Sequence, residues 1–189
     1  MNYYIDSDMN DRLLLHICCA PDATVSFERL SQDWNIIGYF FNPNIHPAHE
    51  YVKRLAELMR LGCTIGMEIR SGEYLENKWM EAVKGLENEP EKGKRCDICF
   101  RLRMEETARM AKAEGFDAFA TVLTVSPHKN ARKINEIGQE LSEKYDVHYL
   151  VTDLKKKDGF KRSVELSRKF GLYRQKYCGC RFSWQAGAG

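Results

Sequence analysis

Short apolar runs alternate along this chain with segments of helical spacing. Residues 12–17 are nearly continuous in apolar side chains, and Val25, Phe27 and Leu30 follow at helical intervals over 23–30, which predicts strand, loop, helix. Residues 34–41 form a second apolar run, the mark of a strand covered on both faces. A turn-rich loop, 42–47, then leads into a helix over about 48–61, with Tyr51, Leu55 and Leu58 on one face. A third strand is expected over 64–69 and another helix over 73–84, punctuated by Gly72 and Gly85. Residues 87–95 are polar, charged and contain Pro and Gly, so a mobile loop or a small insertion is expected there. Beyond it Phe100, Met104, Ala108 and Ala111 make one apolar stripe, which predicts a helix over 97–115 ending at Gly115. A strand over 116–125, a helix over 129–144, a strand over 147–151 and a helix over 161–170 complete the pattern.

This alternation argues for an α/β fold: a mainly parallel, Rossmann-like sheet with helices on both faces, whose ligands sit at the carboxyl ends of the strands. One domain over 1–184 is expected, with 185–189 as a disordered tail. The chain has 189 residues, 43% hydrophobic and 30% charged, which suits a packed core and excludes an extended disordered chain. No apolar run approaches the roughly 18 residues a membrane span needs. Residues 1–11 are polar and acidic, with neither a basic start nor an apolar signal core, so a cytoplasmic protein is expected.

The formal net charge of +2 hides an asymmetry. Residues 155–176 carry nine basic side chains against Asp158 and Glu165, a net of +7, and leave −5 for the rest of the chain. Tyr173 and Tyr177 are interleaved with these charges. A solvated helix face would carry such lysines too, but the pattern is also that of a surface that grips a polyanion.

Seven cysteines in a chain expected among reduced thiols point to metal or redox chemistry rather than a disulfide framework. Six fall in pairs: Cys18 and Cys19 after the first strand, Cys96 and Cys99 as C-x-x-C at a helix start, and Cys178 and Cys180 flanking Gly179. Cys63 stands alone, in an expected helix-to-strand turn, and reads as a packing residue. Separations of 77 residues from Cys19 to Cys96 and 79 from Cys99 to Cys178 mean that the pairs meet only through the tertiary fold. Six thiolates exceed one tetrahedral site, so four at one site and two at a second is the natural division, with [4Fe-4S] or zinc suited to four. Asp22, four residues after Cys18, can add an oxygen ligand. Separate buried cysteines, or one structural zinc with spares, is the plainer alternative.

Where a phosphate loop would stand in such a sheet, the chain reads His16-Ile-Cys-Cys-Ala-Pro-Asp22, with no glycine-rich loop or Walker motif, which argues against ATP. Asn42–Pro47 and Ser126–Asn130 both follow expected strands and are candidate substrate loops. His128 is a candidate proton donor, His46 or His49 could do likewise or contact phosphate, and His16 is expected to support the cysteines from behind. Each lone histidine also reads as a structural hydrogen-bonding residue.

Taken together, Leu14-Leu-His-Ile-Cys-Cys-Ala-Pro21, Phe40-Phe-Asn-Pro-Asn-Ile-His-Pro47, Cys96-Asp-Ile-Cys-Phe-Arg-Leu-Arg103, Leu123-Thr-Val-Ser-Pro-His-Lys129 and Tyr173-Arg-Gln-Lys-Tyr-Cys-Gly-Cys-Arg-Phe-Ser183 resemble the cobalamin-independent epoxyqueuosine reductases, over about 13–183. The resemblance implies an oxidoreductase of tRNA modification that deoxygenates the epoxide of epoxyqueuosine at the wobble position, with a [4Fe-4S] cluster and no ATP, flavin or cobalamin. Four of Cys18, Cys19, Cys96, Cys99, Cys178 and Cys180 would hold the cluster; the other two, with Asp22, would hold a mononuclear iron that binds the epoxide oxygen as a Lewis acid. Lys155, Lys156, Lys157, Lys161, Arg162 and Arg174 are the expected contacts to tRNA phosphates, with Tyr173 or Tyr177 stacking near the anticodon loop. An external electron donor and a monomeric enzyme are expected. The competing readings are an iron–sulfur tRNA sulfurtransferase and a zinc-stabilised RNA-binding module.

Overall fold

The computed structural model describes residues 11–186. Residues 1–10 and 187–189, which include most of the acidic start and of the expected tail, lie outside the described residues. Five strands, β1 (Arg12–His16), β2 (Asn35–Phe40), β3 (Glu68–Ser71), β4 (Ala118–Thr121) and β5 (His148–Tyr149), form one all-parallel sheet in the order β3-β2-β1-β4-β5. Leu13, Leu14 and Leu15 of β1 and all four residues of β4 are buried, as continuous apolar runs in a covered parallel sheet require.

The chain first builds outward through α1 (Ala20–Leu30) and α2 (Ala48–Ile65). It then returns through α3 (Glu76–Ala82) and α4 (Lys94–Ala113) to β4, and continues outward the other way through α5 (Ala131–Tyr145) to β5 and α6 (Gly159–Lys169). Right-handed crossovers in opposite directions place helices on both faces. Accordingly α1 packs on α2 and α6, while α4 packs on α5. The order reverses between β1 and β4, and the carboxyl ends of these two strands flank the crevice where such sheets bind ligands.

Several expectations shift. The strand expected over 64–69 begins only at Glu68, because α2 runs on to Ile65 and stops at Gly66, whose φ of +74° gives the left-handed cap. The apolar run 116–125 is a strand for only four residues; Thr121 then accepts a hydrogen bond from the Leu123 N–H and turns Val122–Val125 into a 3-10 helix. The segment 87–95 is a series of turns rather than an open loop: the Arg95 guanidinium donates to the carbonyls of Leu86, Glu87 and Glu89 at 2.9, 2.9 and 2.6 Å, and α4 already begins at Lys94. A short helix, α7 (Arg181–Ala186), extends into the expected tail. Cys63 lies in the last turn of α2 and is exposed, so it does not serve packing. No helix among the described residues is long and apolar enough to cross a membrane.

Candidate metal centre

The first thiol group is made locally. Cys19 is the extended N-cap of α1, Pro21 starts the helix and Asp22 sits in its first turn. This places one atom each of Cys18, Cys19 and Asp22 within 4.8 Å of one another, all buried, with Cys18 Sγ 4.0 Å from Asp22 Oδ2. The helix N-terminus favours negative charge there. Behind it, the Asn42 amide donates to Ile17 O at 2.8 Å and so turns its oxygen toward His16 Nε2, 3.3 Å away, while His16 Nδ1 lies 2.9 Å from the Thr121 hydroxyl. The His16 ring therefore donates at Nε2 and accepts at Nδ1. Burial, with Arg103 nearby, pushes its pKa down to about 3, so it stays neutral.

The second group is assembled from afar. Cys96 and Cys99 stand one turn apart at the start of α4, whose N-terminus lies at the carboxyl edge of the sheet. Cys178 and Cys180 arrive on the segment after α6, which runs back antiparallel along α2. Arg60 holds the carbonyls of Phe170 and Gly171, Glu57 accepts the Tyr173 N–H at 2.8 Å, and Arg54 donates to the carbonyls of Tyr177 and Cys178 at 3.1 Å each. At the top, Tyr177 donates its hydroxyl to His46 O, and the His46 N–H donates to Gly179 O at 2.7 Å. Arg54 is itself buried against Glu50, 2.7 Å away. Gly179 has φ +109°, and a Cβ there would meet Ile45 Cγ1 at 2.8 Å, so glycine is required between the two cysteines.

Cys96, Cys99, Cys178 and Cys180 line one cavity of about 400 Å³ with Trp79, Arg95, Arg103 and Asn44. Pro21, Asp22, Ser126, Phe160, Arg174, Lys176 and Tyr177 line a second of about 490 Å³. Glu91, His128, Lys129 and Cys178 belong to both, so the cavities share a wall.

Protonation follows the pairing. A hydrogen bond from Cys19 brings Cys18 down to about 7 despite burial, while the same bond and burial push Cys19 up. In the same way Cys180 holds Cys178 low and is itself pushed up. Burial raises Cys96, Cys99 and Asp22. Burial works against the Lys129 cation, but negative charge on Cys18 and Asp22 outweighs it and raises that lysine. In each of these two pairs one thiol is thus easier to ionise than the other, and metal binding must expel the protons that remain. The donor set fits a sulfur-ligated metal group on a second count. Among the described residues, two buried donors line the four-cysteine cavity with no oxygen or nitrogen acceptor: Arg95 Nε, and Trp79 Nε1, which has only the Cys99 sulfur beside it.

The other candidates scatter. His128 is exposed, donates its backbone N–H to Ser126 Oγ and faces both cavities. His46 Nδ1 lies 2.7 Å from Glu76, and exposed His49 lines neither cavity. At the end of the Ser126–Asn130 loop, Asn130 caps α5, its side-chain oxygen accepting the Lys133 N–H. Of the six expected phosphate contacts only Arg174 lines either of these two cavities, and of the two expected stacking rings Tyr177 does. Lys155 and Lys156 pair with Asp153, Arg162 with Glu28 and Glu165, and Lys157 and Lys161 line a depression with these last two acids. Tyr173 donates to Glu50 and has the Lys53 ammonium 3.5 Å over its ring. Lys129, Arg103, Arg95 and Trp79 are site residues that periodicity does not single out; Lys129 and Arg103 stand inside motifs already quoted, whereas Trp79 reads as core.

Residues 13–186 match the family model described as epoxyqueuosine reductase QueH. The chain belongs to this family. It is 43% identical over 176 residues to the epoxyqueuosine reductase of Streptococcus pyogenes, covering 89% of this chain and 68% of that one. It is 38% identical over 175 residues to that of Thermotoga maritima, covering 90% and 89%. The fold is similar to that of the U34-tRNA thiolase NcsA from Methanococcus maripaludis, solved with its [4Fe-4S] cluster: the TM-score is 0.59 at 15% identity, over 93% of this chain and 62% of that chain. The protein is thus an oxidoreductase of tRNA modification, which sets aside the sulfurtransferase and RNA-binding-module readings.

Proposed function

We propose that the reductase removes the epoxide oxygen of epoxyqueuosine at the tRNA wobble position, taking two electrons from an external donor and two protons and releasing water as the alkene forms. What supports this, beside the family, is the division of six cysteines into four in one cavity and two with a carboxylate beside it, joined by a wall carrying His128 and Lys129. Cys96, Cys99, Cys178 and Cys180 would hold a [4Fe-4S] cluster, and Cys18, Cys19 and Asp22 a single iron. When bound, the cluster supplies electrons singly and the iron a Lewis acid, with no cobalamin or flavin required.

The chain supplies the remainder. Lys129 places a positive charge where oxygen gains negative charge, and His128 is the proton donor open to solvent for reloading. Arg174 and Lys176 on the rim of the second cavity bind anticodon phosphates while Phe160 and Tyr177 flank the base. Exposed Lys156, Lys157, Lys161 and Arg162 extend the basic surface along the RNA, with Lys155 and Tyr173 beside it. The enzyme is read as a cytoplasmic monomer.

The test is anaerobic reconstitution with iron and sulfide, followed by assay on epoxyqueuosine tRNA. About five irons and four sulfides per chain are expected. Asp22→Asn should lose one iron and keep the sulfide, and His128→Ala should slow turnover about 10²-fold or more at unchanged iron. Zinc without sulfide would overturn the redox reading.

A further inference from the structure

Trp79 is 1% exposed, and its indole N–H makes no hydrogen bond of ordinary geometry; the one acceptor near enough to feel it is the Cys99 sulfur. Buried indoles ordinarily find a hydrogen-bond partner, because an unpaired donor out of water is costly. The ring packs with Val83, Cys99 and Cys180 and lies 6.0 Å from the Phe182 ring, and it lines the four-cysteine cavity. Phenylalanine would fill much of the same apolar space without burying a donor. The acceptor beside the N–H is the Cys99 sulfur: a protonated thiol is a weak acceptor, whereas a metal thiolate or an inorganic sulfide is a charged one.

We propose that Trp79 is a positioning residue for electron transfer, donating its indole N–H to a sulfur of the cluster bound in this cavity, Cys99 Sγ or an inorganic sulfide, and thereby raising the cluster's reduction potential. The inference rests on the cluster reading above. A donor aimed at cluster sulfur stabilises the reduced, more negative state more than the oxidised one. Arg95, whose guanidinium lies 4.7 Å over the Phe182 ring and whose Nε is without a partner, adds positive charge on the same side. The donor thus meets a weak thiol acceptor in the protein by itself and a charged sulfur once the cluster is bound.

Trp79→Phe removes the N–H and keeps an aromatic ring. Wild type and variant are loaded anaerobically, their iron and sulfide are counted, and their clusters are titrated by EPR. At equal iron and sulfide, the variant should titrate at a more negative potential, with an oxidised-to-reduced ratio about tenfold higher at fixed potential, or about 59 mV for one electron. Equal content with an unmoved potential overturns the role of Trp79 and leaves the cluster reading standing. Wild type without sulfide overturns both. Should the variant fail to load, wild type carrying ¹⁵N-indole tryptophan decides: pulsed EPR of the reduced cluster should show an indole nitrogen coupling, and its absence overturns the proposal.

Discussion

Cys18, Cys19 and Asp22 lie within five residues and are gathered by one strand-to-helix turn, while Cys96, Cys99, Cys178 and Cys180 come from segments about eighty residues apart. The two groups share a wall but not a means of support. The local group inherits its geometry from β1 and the cap of α1, at the centre of the sheet. The distant one depends on a seam of side-chain contacts along α2, with Arg54 and Gly179 at its end. A centre built this way can lose one half and keep the other.

The strongest attempt to separate them is Arg54→Ala. It strands buried Glu50 and frees the carbonyls of Tyr177 and Cys178, which should cost about 3–5 kcal/mol in chemical denaturation. Sulfide should be lost while one iron persists; equal loss of both would mean a common support. His16 probes the local group through pH in the metal-free protein. Its pKa falls from 6.5 to about 3 on folding, so between those values the unfolded chain binds a proton that the folded one refuses. Stability present above pH 6.5 is therefore lost as pH falls, by up to about 1.4 kcal/mol per unit. His16→Gln should flatten that slope in denaturation series between pH 4 and 6.5, and an unchanged slope would place the acid sensitivity elsewhere.

Gly179→Ala forces a side chain into a left-handed backbone and against Ile45, for about 1–3 kcal/mol, with cluster loading reduced more than the single iron. Should both metals load normally, the turn is less restrictive than its geometry implies. The smallest effect belongs to Arg162→Ala. Its pairs with Glu28 and Glu165 lie at the surface, so the thermal unfolding transition should scarcely move. A larger loss would make the α1–α6 seam structural rather than an RNA surface.

Much of this was legible in the chain. Apolar runs alternating with helical stripes mark a parallel sheet, and a cysteine pair after the first strand lies where such sheets bind ligands, because strand ends and helix caps are written locally. The pairing of thiols into two sites was legible as arithmetic only. Element boundaries slipped where burial is continuous, as at Val122–Val125, since an unbroken apolar run has no period to separate strand from 3-10 helix. The basic segment 155–176 reads as one charged surface, but the fold sets Glu28 and Asp153 against part of it and leaves Arg174 and Lys176 at the cavity.

By itself, then, the sequence determined the layer architecture, the grouping of six cysteines into pairs and the family, all carried by near neighbours in the chain. Only the tertiary structure decided which cysteines stand together, that Lys129 and Cys178 form the wall between the cavities, and that Trp79 sits beside the Cys99 sulfur. Those relations join residues far apart in the chain, and they exist only once the segment after α6 has closed along α2.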